Sequence, residues 1–170
     1  MNCRRKRAWL VALAITVGSS SFVMGQDARA AKLADELKSA DAGVRARAAI
    51  ALAELGADAK PAIPALTTAL ADKNLNVRYW SAKVLKGFGP EAKTAVPALV
   101  AALKTFPGGS PELEGPGRYY PDVRSLAAEA LGAIGPAAKE ALPALKEASA
   151  DESPDVRGSA TEAIKRIEGK

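Results

Sequence analysis

The chain of 170 residues contains no histidine and a single cysteine, and its aromatics amount to 5% of the residues. Each scarcity removes a class of function. Without histidine, no side chain has an unperturbed pKa suited to general-base work near neutral pH. The one cysteine, Cys3, precedes the first apolar run, so the rest of the chain has no thiol nucleophile and no disulfide. No His/Cys set can assemble around a metal ion. No glycine-rich phosphate loop of the P-loop or dinucleotide-binding type is present, and no carboxylate pair stands apart from the solvated faces. The expectation is a protein that is not an enzyme and needs no cofactor or metal.

Basic residues are in excess only at first sight. The formal net charge is +5, from 24 Lys and Arg against 19 Asp and Glu. Four of those cations are Arg4, Arg5, Lys6 and Arg7; without them 20 remain against 19, a net charge of +1. The basicity therefore belongs to the N-terminus, and no nucleic-acid partner follows from it. The basic cluster leads into Ala8–Val17, AWLVALAITV, which is short for a membrane span and of the length of a signal-peptide core. Residues 1–25 are expected to be a signal peptide, with cleavage after Gly25 or as late as Ala30, where Ala28-Arg29-Ala30 gives a small-x-small pattern. An uncleaved N-terminal anchor is the other reading. Export to the periplasm or the cell exterior follows, with no stable membrane span once the signal is cleaved and one domain over 26–170.

What the chain has in quantity is repetition. Val-Arg recurs at Val44-Arg45, Val77-Arg78, Val123-Arg124 and Val156-Arg157, with spacings of 33, 46 and 33 residues. The middle spacing is 33 plus an insert of 13. A period of this size marks a helical solenoid. Each unit opens on Asp41, Asn74 or Asn76, Asp122 or Asp155, whose side chains can cap a first helical turn. Apolar residues then recur at helical spacing: Val44, Ala48, Leu52 and Leu55 in the first unit, Val123, Ala127, Leu131 and Ile134 in the third. Gly56, Gly89 and Gly135 stop this helix A, and Pro90 and Pro136 suit the first position of a new helical segment. In each helix B segment a proline, Pro64, Pro97 or Pro143, predicts a short turn, a bend and a main helix starting near it. Ala31–Ser39 is expected as a lone helix B capping one end, and 155–168 as a lone helix A capping the other with Glu162, Lys165 and Arg166 outward.

These motifs resemble the HEAT-like repeats of the phycobilisome-lyase family. The likeness lies in Val-Arg-x-x-Ala-Ala-x-Ala-Leu-Gly-x-Ile-Gly at 123–135 and Gly-Pro-x-Ala-Lys-x-Ala-x-Pro-Ala-Leu at 89–99 and 135–145, and it covers nearly everything from about residue 31. It implies an all-α fold: a right-handed α-solenoid of antiparallel helix pairs, about eight helices with half-repeat caps. Such repeats serve many roles. The iron-binding HEAT-repeat hydroxylases are excluded, because they need histidine.

Three sets of residues are candidate surfaces. The arginine column, Arg45, Arg78, Arg124 and Arg157, lies in first helical turns, where a cation opposes the macrodipole. Asp41, Asp72, Asp122, Asp151 and Asp155 are close by, and the resemblance implies an Asp–Arg ladder between repeats; an anion-binding stripe is the alternative. The lysine column, Lys60, Lys93 and Lys139, would repeat at about the 10 Å packing distance of helices, and with Glu91 and Glu140 beside it reads as a solvated edge. The insert at about 104–121 is rich in proline and glycine and carries Phe106, Glu112, Glu114, Arg118, Tyr119 and Tyr120. Long irregular loops in compact domains are usually functional or disordered. Tyr79 and Trp80 stand where other units have small or variable residues, as supports for the insert or as anchors for a partner.

The functional expectation is an exported HEAT-repeat scaffold that binds another macromolecule, a protein of unknown identity. Its surfaces would be the insert and a concave B-helix face including Thr67, Thr68, Val100, Lys104, Lys146 and Glu147. The alternatives are a bilin chromophore lyase or its chaperone-like subunit, and a subunit that stacks end to end.

Overall fold

The computed structural model describes residues 18–105 and 122–169. Eight α-helical segments are found there: α1 (Gly18–Glu36), α2 (Ala42–Leu55), α3 (Ile63–Ala69), α4 (Leu75–Phe88), α5 (Val96–Thr105), α6 (Val123–Ile134), α7 (Leu142–Ala148) and α8 (Pro154–Glu168). They are not eight uniform rods. Only α1, α2, α4, α6 and α8 reach twelve residues, and each of α3, α5 and α7 is led in by a 3-10 segment: Gly56–Ala62, Gly89–Ala95 and Gly135–Ala141. No strand occurs among the described residues.

Local chemistry places these elements. Asp41 caps α2 by accepting from the Gly43 and Val44 N–H groups at 2.6 and 3.1 Å. Asn74, not Asn76, caps α4 by accepting from Val77 N–H, and Asp122 caps α6 through Arg124 N–H. Each A helix then ends on a glycine at positive φ: Gly56 at 57°, Gly89 at 53° and Gly135 at 71°. An L side chain is strained there, so glycine fixes the stop. The 3-10 segment turns the chain, and Pro64, Pro97 and Pro143 each occupy the second residue of the following α-helix. Proline is tolerated in a first turn because its missing N–H would have no helical partner anyway.

Two expectations at the ends need correction. Asp155 does not cap α8. The helix starts at Pro154 with Ser153 at the cap position, because proline has the φ of a first helical residue; Asp155 lies inside the first turn. The first helix begins at Gly18 rather than Ala31 and runs unbroken past both Gly25 and Ala30, through a stretch with no proline. Ala30 is fully buried.

The helices stack in two rows. In the A row, α2 packs on α4, α4 on α6 and α6 on α8; in the B row, α1 packs on α3, α3 on α5 and α5 on α7. Each B helix also packs on the next A helix: α3 on α4, α5 on α6 and α7 on α8. Equivalent residues fill the seam between the rows. Leu52, Leu85 and Leu131 are buried, as are Leu66, Leu99 and Leu145. Burying one such side chain stabilises the fold by about 1.5–3 kcal/mol. Ala59, Ala92 and Ala138, and Ala62, Ala95 and Ala141, are buried in the 3-10 segments, where a larger side chain would push the rows apart. Gly132 sets the approach of α6 to α8: a Cβ there would lie 2.9 Å from Ala163 Cα.

The stack continues across the insert. α5 and α6, the helices on either side of it, are in contact, and α6 packs on α4 as α4 does on α2.

Candidate interaction surfaces

The arginine column is a ladder, in which Arg45 and Arg124 each reach an aspartate 27 residues on. Arg45 donates Nε and Nη2 to the two oxygens of Asp72 at 2.6 and 3.0 Å, a bidentate bond from α2 to the turn before α4. Its Nη1 donates to the carbonyls of Ser39 and Ala40 at 2.8 and 2.9 Å. Arg78 repeats that second contact on the carbonyls of Asp72 and Lys73, and Arg157 on those of Asp151 and Glu152. Three arginines thus bind carbonyls at six and five residues before themselves. The conflict with the macrodipole is relieved in this way: each cation leaves the positive start of its own helix for carbonyls beyond the end of the preceding one.

Arg124 is held differently. Nε and Nη2 donate to Asp122 Oδ2 at 3.0 and 2.7 Å, and Nη1 donates to Asp151 Oδ2 at 2.5 Å. Asp72 and Asp151 therefore bridge repeats twice, by side chain to the previous arginine and by carbonyl to the next. The corresponding position before α6 is Thr105, whose hydroxyl donates to the Ala101 carbonyl. Of the five aspartates expected in the ladder, Asp72, Asp122 and Asp151 are rungs. Asp41 caps α2 instead, and Asp155 belongs to the first turn of α8, one turn past the carbonyls that Arg157 binds.

The charges respond to these contacts. Burial would raise the Asp72 carboxyl, but hydrogen bonds from Arg45 and the Asn74 N–H, with the charges of Arg45 and Arg78, hold it below the usual carboxylate range. The Val44 and Gly43 N–H groups do the same for Asp41. The Asp72 bond raises Arg45, and Asp122 raises Arg124. Burial lowers Arg78. Through these bonds the column clamps each repeat to its neighbour.

Three lysine–glutamate bridges cross the same junctions: Lys60–Glu91 at 2.9 Å between 3-10 segments, Lys86–Glu129 at 2.6 Å between α4 and α6, and Lys104–Glu147 at 3.1 Å between α5 and α7. All are exposed, and such pairs contribute about 0–1 kcal/mol each. Lys93 and Lys139 are exposed as well. On the B face, the Thr67 and Thr68 hydroxyls donate back to the Ile63 and Pro64 carbonyls; Val100 is partly exposed, and Lys146 is exposed.

Tyr79 and Trp80 form an edge-to-face pair, centroids 5.4 Å apart. Tyr79 is buried and Trp80 partly so. The Lys83 ammonium lies 4.5 Å from the Trp80 ring centroid. The sequence offered no sign of Lys83 beyond its i+3 spacing from Trp80. The partner-binding candidates Glu112, Glu114, Arg118, Tyr119 and Tyr120, with Phe106, lie outside the described residues. The outer A-row face has two hollows that the sequence did not announce. One of about 440 Å³ lies between α2 and α4 and reaches Glu91; one of about 330 Å³ lies among α4, α6 and α8. No cluster of potential metal ligands occurs among the described residues, and no described helix is long and apolar enough to cross a membrane.

Stacked helix pairs, clamped by arginines and sealed by repeated leucines, define an α-solenoid. The sequence pattern of HEAT repeats matches residues 30–108 and 118–169, well over half of the chain. The chain belongs to the HEAT-repeat family. The break in the match, at 109–117, falls within the insert.

Among solved structures, an engineered protein is similar over 86% of this chain and 63% of its own, at 22% identity and a TM-score of 0.64. The complex of CpcE and CpcF of phycocyanin lyase from Nostoc sp. PCC7120 is similar over 100% of this chain and 71% of its own, at 22% identity and a TM-score of 0.63. A second engineered protein is similar over 85% and 38%, at 23% identity and a TM-score of 0.58. The chain spans less than two thirds of either engineered protein. The fold of the phycobilisome-lyase type is thus shared. None of the curated proteins is similar enough to count as a relative.

Proposed function

We propose that the chain is an exported scaffold that binds another protein through the 104–121 insert and the B-helix face. The observation that carries this reading is the junction between α5 and α6. The helices pack there as they do elsewhere, although the connection is 13 residues longer than the repeat requires. Added sequence that the stack does not need is free to serve recognition. It leads from the end of α5 to the start of α6, which packs on α4, the helix that carries Tyr79 and Trp80. The Lys83 ammonium, Trp80 and the insert's tyrosines and glutamates would give a partner aromatic area with charge around it. Export rests on the basic cluster and apolar run before α1. Cleavage after Gly25 keeps the buried Ala30 in the fold, whereas cleavage after Ala30 removes it, so the mature chain is expected to begin at Gln26.

Deleting Pro107–Tyr119 restores a 33-residue interval and tests the reading. Doubling a loop costs only about 0.6 kcal/mol in closure entropy, so its removal should leave helical content and melting near wild type. Capture of the partner from the exported fraction should be lost. A folded deletion variant that still captures it would place recognition on the B face alone.

The likeness to a phycocyanin lyase complex supports a second reading, a bilin-handling protein. Titration with a bilin separates the two: a shifted absorbance band at stoichiometric protein would favour it. End-to-end stacking is disfavoured by α8, whose Thr161 and Lys165, on the side away from α6, are exposed and polar.

A further inference from the structure

Successive A helices meet through one recurring face. In α4 it carries Lys83, Val84 and Gly87, which border a hollow against Ala53 of α2 and the Gly56 that ends it. In α8 it carries Glu162, Ala163 and Arg166, which border a hollow against Glu129 and Gly132 of α6. The face therefore looks back toward the preceding A helix. On α2 the equivalent residues are Arg47, Ile50, Ala51 and Glu54, at i, i+3, i+4 and i+7. No A helix precedes α2 among the described residues, since α1 lies in the B row.

The centre of this face is apolar where its counterparts are charged. Lys83, Glu129 and Glu162 each put a charge at the position that Ile50 fills in α2. Ala51 is partly exposed, while its counterparts Val84, Ala130 and Ala163 are buried. Val44, one turn earlier, is partly exposed where Val77, Val123 and Val156 are buried. The opposite end of the stack is closed with polar groups. Where inner A helices bury Ala82 and Ala128, α8 exposes Thr161, whose hydroxyl donates to the Arg157 carbonyl at 2.8 Å.

We infer that the α2 face binds a second copy of this chain, α2 against α2 in antiparallel orientation, about a two-fold axis between Ile50 and Ala51. Charge geometry selects this occupant. Arg47 stands three residues before Ile50 and Glu54 three residues after Ala51, so the face is complementary to itself when reversed. Each Arg47 meets the other copy's Glu54, and Ile50 and Ala51 fill the centre. Both charges are exposed and neither is in an ion pair within its own chain among the described residues. Arg47 lies near the Asp41 carboxylate, which is already occupied by two N–H groups. Because the α8 end is polar, the contact cannot propagate head to tail, and the pair closes.

Sedimentation equilibrium of the purified chain tests this, with circular dichroism confirming that each surface variant folds. Wild type should associate to a dimer with rising concentration. Arg47→Glu or Glu54→Arg alone turns two attractive pairs into two repulsive ones. Each should weaken association by about tenfold or more. An equimolar mixture of the two variants should regain wild-type association, because each supplies what the other lacks. With Ile50→Cys, mild oxidation should give a covalent dimer through the new thiols. A monomer at every concentration overturns the proposal, as does a dimer indifferent to both charge reversals or a mixture that does not recover. A disulfide from position 50 to Cys3 of the same chain would give the face to the chain's own N-terminal segment and also overturn it.

Discussion

Helices α2 and α6 carry the same Val-Arg motif at the same place in the repeat, yet they live in different surroundings. α6 has A-row neighbours on both sides, and ten of its twelve residues are buried. Among the described residues α2 has one A-row neighbour, and it buries three of fourteen residues, Ala48, Ala49 and Leu52. Their arginines differ in the same sense. Arg45 has one carboxylate partner, Asp72, and completes its contacts on carbonyls, whereas Arg124 is gripped by two carboxylates. A repeated sequence therefore does not produce repeated energetics. Position in the stack decides how much each copy of the motif contributes, because in a solenoid only neighbouring repeats touch.

The largest expected effect sets the two helices directly against each other. Leu52 and Leu131 are equivalent and both fully buried. Leucine-to-alanine changes in cores cost about 2–5 kcal/mol, depending on how far the site can collapse. Leu131→Ala should fall in the upper part of that range and Leu52→Ala in the lower, since α2 is free to move on its open side. Equal shifts in chemical denaturation midpoints would break the comparison.

The next effect concerns the rungs. Asp72→Ala removes the carboxylate that Arg45 is hydrogen-bonded to and should cost about 1.5–3 kcal/mol, as hydrogen bonds to charged groups do. Asp151→Ala should cost less, because Asp122 still holds Arg124. The Asp72 contribution should also depend on pH with a definite sign. Its carboxyl is held below the ordinary value in the fold, so its contribution is present above the unfolded carboxylate pKa of about 3.9 and is lost as pH falls through the folded value. Melting of wild type and Asp72→Ala should therefore begin to converge as pH falls below about 4 and meet only below the folded value. Curves that stay parallel through that range would remove Asp72 from the acid response.

Smallest, and of opposite signs, are two glycine changes. Gly132→Ala forces a methyl onto Ala163 and should destabilise by about 1–3 kcal/mol, as overpacking does. Gly87 in α4 meets nothing within 4 Å at its Cβ position. Gly87→Ala should stabilise by about 0.5–1 kcal/mol through the unfolded chain's lost freedom. Thermal melts that move in the same direction would show that the two glycines do not differ as the packing says.

Much of the fold was legible in the chain itself. Asp41, Asn74 and Asp122 announced helix starts, Gly56, Gly89 and Gly135 the stops, and Pro64, Pro97 and Pro143 the bends before the B helices. The candidate surfaces were less so. Asp72 is 27 residues from Arg45, and Asp41 only four; the sequence offered both carboxylates, and the packing of α2 on the turn before α4 chose between them. Lys83 on Trp80 and the hollows of the A row left no mark in the repeat pattern at all.

The division has a physical basis. Caps, glycine stops and proline bends act within a turn or two of backbone, so local sequence determined them, and the 33-residue period determined that the turns stack. Burial and charge pairing act across repeats. Only the packed structure could decide that Asp72 and Asp151 are the shared rungs, that Thr161 closes one end and Ile50 lies open at the other, and that Gly132 must be small. Those choices depend on which side chains arrive from the neighbouring repeat, and they are made in space after the chain has folded back on itself.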